Sequence, residues 1–193
     1  MKFLNAFALS ALLALPVTVL GATEAEAPAQ DMKAKVQNVQ SEVNDLVDQG
    51  GKYVYMQLAR SGKVSPFAVG RQADGAVIML EVPKSEEKAS FEQKILKLRQ
   101  MLKLGADSNK FVAGALFVQA QVPHQGKEVD GVAIEMEHKL GISVLRFSPY
   151  EVDRDNQKIR FEKPVDKIKP VVFFKGSKID AAEKAGETTA STK

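Results

Sequence analysis

The sequence predicts an α+β fold, with an antiparallel β-sheet of about five to six strands packed by helices in the order helix, hairpin, helix, meander. Three observations carry that prediction. Two stretches repeat apolar residues at spacings of three and four, the period of a helix face. Several shorter runs alternate apolar and polar residues between Gly, Pro, Asn and Asp, the pattern of half-buried strands. The turns between the later runs are too short for a crossover, so neighbouring strands must pair antiparallel.

The chain opens with Lys2 and an apolar run, "FLNAFALSALLALPVTVL", followed by the small residues of "VLGATEAEA". That is the layout of a secretory signal, expected over residues 1–22 with cleavage near Gly21, Ala22 or Ala25. No basic stop-transfer cluster follows, so no integral membrane span is expected after cleavage. The chain has no Cys, which closes lipoprotein acylation, disulfides and thiolate metal sites. An exported, cysteine-free domain suits a bacterial periplasm. Residues 23–30 read as a polar linker.

A helical segment is expected over 31–62. Met32, Val36, Val39, Val43 and Leu46 form an apolar seam over about two heptads. Gly50 and Gly51 read as its stop, with a second short helix over 52–62 closed by Gly62. The α+β domain spans 63–176. Asp74 and Gly75, set between alternating runs, are the two-residue hairpin signal. Phe67 and Val69 share one strand face, and Ile78, Leu80 and Val82 share a face of the next. The next helix starts from Ser85, whose side chain suits an N-cap, carries the stripe Phe91, Ile95, Leu98 and Leu102, and ends at Gly105. Strands follow over 111–124, 129–141, 142–154 and 157–164, joined by turns at Gln125 and Gly126 and at Asp155 and Asn156. The first of these is apolar on both faces in its first half, as in a strand covered from both sides. "PVVFFKG" (170–176) reads as an edge strand, and 177–193 as a polar tail without fixed structure.

Over residues 64–153 the order hairpin, helix, three strands resembles profilin-like and roadblock-like domains. The resemblance is one of layout, and such folds serve as scaffolds, sensors and ligand pockets.

The densest chemistry lies in "DGVAIEMEHKLGISVLRFSPYEVD", residues 130–153. In a strand, Val132, Ile134, Met136 and His138 share one face while Glu135, Glu137 and Lys139 share the other. His138 therefore cannot join the two glutamates around a metal on a regular strand, and a zinc site needs three or four convergent ligands. The only other histidine, His124, could help only if the hairpin ends meet. His138 reads as the end of a core stripe, and the paired glutamates as a solvated face neutralised by Lys139. No Gly-x-Ser-x-Gly, P-loop or Gly-x-Gly-x-x-Gly occurs, so no cofactor is expected. The net charge of +3 comes from lysines spread along the chain, which argues against a nucleic-acid partner.

Three functions fit. The first is a non-catalytic envelope module that binds a protein, or a second copy of itself, through the seam Met32, Val36, Val39, Val43 and Leu46. The second is a small-ligand carrier or sensor with an apolar pocket between sheet and helices. The third is a hydrolase using Glu135 and Glu137.

Overall fold

The computed structural model describes residues 26–124, 127–153 and 158–175, apart from the side chains of 26–32 and of residue 124. The expected signal segment, the turns at Gln125 and Gly126 and at Asp155 and Asn156, and the tail lie outside the described residues.

The chain is α+β. A curled antiparallel sheet runs in the order β2-β1-β3-β4-β5-β6, with β7 also paired to β5. Helix α1 (Glu26–Ser61) covers one face and helix α2 (Phe91–Asp107) the other. The strands are β1 (Phe67–Arg71), β2 (Val77–Leu80), β3 (Ala113–His124), β4 (Lys127–His138), β5 (Ser143–Asp153), β6 (Lys158–Phe161) and β7 (Val165–Ile168). Two cores result. Val43, Leu46, Val54 and Leu58 of α1 bury against Phe67, Val69, Phe117, Ile134 and Met136. Leu98 and Leu102 of α2 bury with Phe111, Leu116, Phe173 and Phe174 on the opposite face. Because β3 lies between both layers, every residue from Phe111 to Phe117 is buried, as its apolar run requires.

α1 corrects the sequence reading. It begins at Glu26, inside the expected linker, and runs unbroken for 36 residues through Gly50 and Gly51. Its buried stripe continues from Val39, Val43 and Leu46 through Gly50 to Val54 and Leu58. Gly50 sits where this stripe crosses β3. A Cβ there would come within 2.1 Å of the Phe117 ring, so a hydrogen is all the contact admits. The glycine serves close approach rather than termination. The real stop is Gly62, at φ +68, whose N–H bonds to the Leu58 carbonyl.

α2 starts five residues later than expected. Ser90 caps it: its hydroxyl accepts the Gln93 N–H and the Gln93 side chain accepts the Ser90 N–H. Ser85 lies in a short 3-10 turn (Lys84–Glu86) instead. Gly105 does not close α2. It is buried within the last turn, where a Cβ would meet the Phe111 ring, and the helix ends at Asp107. The hairpin loop is also longer than two residues: Arg71 pairs with Val77, and Gln72 N–H bonds to the Ala76 carbonyl around Asp74 and Gly75.

The outer edge differs most. The edge strand is Val165–Ile168 rather than 170–176. β6 and β7 are two halves of one bulged strand along the same edge of β5. Tyr150 pairs with Phe161 and Phe147 with Val165, so three steps along β5 face four along its partner. Residues 170–175 leave the edge and fold under the sheet, burying Phe173 and Phe174 beside α2.

Candidate functional site

The expected polar residues separate into three places. His124 pairs with Lys127 at one end of the β3–β4 ladder, and His138 pairs with Ala113 at the other. Eleven strand steps place the two histidines about 35 Å apart along the ladder. The hairpin ends do not meet. Among the described residues, no group of three or more His, Asp or Glu is arranged to hold a metal ion.

His138 ends the stripe Val132, Ile134 and Met136 on the α1 face, as the alternation predicts. Its Nδ1 accepts the Leu140 N–H at 3.1 Å, so the ring proton sits on Nε2, 2.9 Å from the Glu42 carboxylate of α1. Burial pulls its pKa below the ordinary histidine value, against the opposing pull of Glu42. A neutral imidazole tying α1 to the end of β4 is the result.

Glu135 and Glu137 share the opposite face, but that face is not solvated. Glu137 is fully buried. One carboxylate oxygen accepts Lys169 Nζ and the Val172 N–H (2.8 Å), with Ser143 Oγ at 3.5 Å. The other accepts the N–H groups of Phe173 (2.6 Å) and Phe174 (3.3 Å). Glu135 pairs with Arg99 of α2 and lies 3.9 Å from Lys169 Nζ. The neutralising cations are thus Arg99 and Lys169, not Lys139, which is exposed. Both carboxylates are engaged by the chain itself. Glu137 fastens residues 169–174 beneath the sheet, and among the described residues no buried side-chain polar atom lacks a partner.

The seam divides in the same way. Val39, Val43 and Leu46 lie in the protein's own core, whereas Val36 is 58% exposed. The Met32 side chain is outside the described residues.

An apolar concavity arises from α1 and the twist of the sheet. Gly50 draws α1 down onto β3, and the helix packs on β1, β3 and β4 before meeting β6 on the far side. A straight helix cannot follow a twisted sheet across its width, so a gap opens beside it. The gap is a groove of about 600 Å³. Its helix wall includes Val47, Gly51, Val54 and Tyr55, and its sheet wall includes Val132, Ile134 and Phe161. Phe117 lies at its base, stacked on Phe67 with ring centroids 4.7 Å apart. Asp48, Lys52, Arg146 and Glu162 supply two charges of each sign. Arg146 is held by both oxygens of Asp166 (2.7 and 2.8 Å), and that contact lowers the Asp166 pKa.

The sequence pattern singled out no residue as a wall of this groove. Gly51, adjacent to the close-packed Gly50, was the available signal: a Cβ there would meet nothing within 4 Å. Comparison with protein-family models, curated proteins and solved structures finds no match to the chain. No helix among the described residues is long and apolar enough to cross a membrane.

Proposed function

We propose that the protein is an exported, non-catalytic binding module of the bacterial envelope that holds an amphiphile in the groove beside α1. The groove itself carries this reading. Its volume of about 600 Å³ falls within the range of about 300–1,000 Å³ typical of small-molecule sites. Its walls are mainly aliphatic and aromatic, which suits an apolar chain. Its four charged residues balance, which suits a zwitterionic or uncharged polar head. The apolar N-terminal segment supports export, and a periplasmic module would meet amphiphiles at the membrane surface. The element order along the chain resembles that of profilin-like and roadblock-like domains, and such folds serve as scaffolds or ligand pockets.

The test is a titration with a fluorescent lysophospholipid, whose zwitterionic head and single chain match the groove. Gly51→Leu places a side chain in the open space. The variant is expected to stay folded and to lose probe binding. Wild-type affinity in a folded Gly51→Leu protein would overturn the proposal.

A protein partner is the second reading, favoured by one observation. Residues 33–38 of α1 are all exposed, with Val36 the large apolar side chain among them. Crosslinking in the native envelope should capture a partner that Val36→Glu releases.

A further inference from the structure

The sheet forks. β4 and β5 pair from Glu137–Ser143 as far as Gly131–Pro149, and there the ladder ends. In continued register residues 127–130 of β4 would face 150–153 of β5. Instead, 150–153 pair only with β6. The cause is local. The bulge between β6 and β7 lies opposite Ser148 and Pro149, and a bulge bends and twists its strand pair. The distal half of β5 curls away with β6, and the tip of β4 stays with β3.

The Pro149 carbonyl accepts the Glu162 N–H, so it points toward β6. Backbone direction alternates along a strand, so Tyr150 and Val152 turn their N–H and C=O groups toward β4. By the same alternation Glu128 and Asp130 turn theirs toward β5. Two strand edges therefore face each other across a cleft of about 1120 Å³. Apolar side chains line it at Val122, Val129, Phe147, Val152 and Val165. Its charged lining is acidic in balance: Glu128, Asp130, Glu151 and Glu162 against Lys127 and Lys163.

The geometry points to a docking slot for an extended basic peptide segment, inserted between β4 and β5 beyond Gly131 and Pro149. The segment adds a strand and takes main-chain bonds from both edges, with alternate side chains set among the valines and lysines or arginines matched to the acids. The outer edge of β7 is a poorer candidate, because Lys163 and Lys167 with Pro164 and Pro170 guard it. The fork shares only Glu162 with the lining of the amphiphile groove, so either proposal can fail without the other.

The experiment uses the purified protein and three fluorescein-labelled peptides: Lys-Val-Lys-Val-Lys-Val-Lys, the same sequence with Glu for Lys, and the lysine peptide with alternate amides N-methylated. Anisotropy reads affinity, and amide hydrogen exchange reads location. The lysine peptide is expected to bind at least about tenfold tighter than the glutamate peptide and to weaken as salt rises. N-methylation should abolish binding. The amides of Glu128, Asp130, Tyr150 and Val152 should slow on binding. Glu128→Lys with Glu151→Lys, both exposed positions, should weaken the lysine peptide at least about tenfold with an unchanged circular dichroism spectrum. Protection elsewhere on the protein, equal binding of the N-methylated peptide, or indifference to the double charge reversal would each overturn the proposal.

Discussion

Replacing Gly50 or Gly51 by Ala should move stability in opposite directions, although the two glycines are adjacent in one helix. Each substitution relieves the helix of a glycine, worth about 1 kcal/mol in a helix interior. At Gly51 nothing opposes the gain, since the added methyl meets nothing within 4 Å. At Gly50 it would lie 2.1, 2.4 and 2.7 Å from three atoms of the Phe117 ring. That ring is fully buried and stacked on Phe67 at an interplanar angle of 4°, so displacing it breaks the aromatic stack. Overpacking of this kind costs about 1–3 kcal/mol, and a rigid aromatic stack argues for the upper end. Gly51→Ala should therefore stabilise by about 1 kcal/mol. Gly50→Ala should destabilise by about 1–2 kcal/mol after its propensity gain is counted. The two variants should then differ by about 2–3 kcal/mol, or about 4–12 °C in Tm for a domain of this size. Urea and thermal unfolding followed by circular dichroism would measure both. Equal stabilisation by the two substitutions would refute the reasoning, because it would mean that α1 does not rest on Phe117.

Three further outcomes are expected. Glu137→Gln removes the charge facing Lys169 and turns an amide toward backbone donors, so it should cost about 3–5 kcal/mol in urea unfolding and free the 169–174 segment for early proteolysis. The lowered His138 pKa means the folded state disfavours the protonated ring, so its contribution to stability is complete above 6.5 and falls as pH drops below that value. Denaturation midpoints measured from pH 7 downward should show that fall, and His138→Gln should flatten it. Ser90→Ala breaks the capping box of α2 and should cost about 1 kcal/mol, with fraying visible as faster amide exchange in the first turn.

Much of the fold was legible because it follows from local rules. Alternation along 129–141 assigned Val132, Ile134, Met136 and His138 to one face and the glutamates to the other, and both assignments hold. The doubly apolar start of β3 announced a strand covered from both sides. The Ser90-x-x-Gln93 cap was also in the sequence, but Ser85 followed by two glutamates competed with it. What covers each face was not legible. The environment of Glu137 comes from Lys169 and from the backbone of 172–174, which nothing local to β4 specifies. Phe173 and Phe174 read as a strand because their run is short, apolar and bounded by Pro and Gly, and the same composition serves a segment tucked under a sheet.

The sequence by itself determined the α+β class, the antiparallel pairing, the alternating faces and the charges carried on each. Tertiary structure decided whether Gly50 ended a helix or admitted one, since a missing side chain permits both a turn and a close contact. It decided that the bulge opposite Pro149 splits the sheet, and that the twist beside α1 leaves a groove. Each of these depends on residues far apart in the chain arriving at the same place, and local periodicity carries no record of that distance.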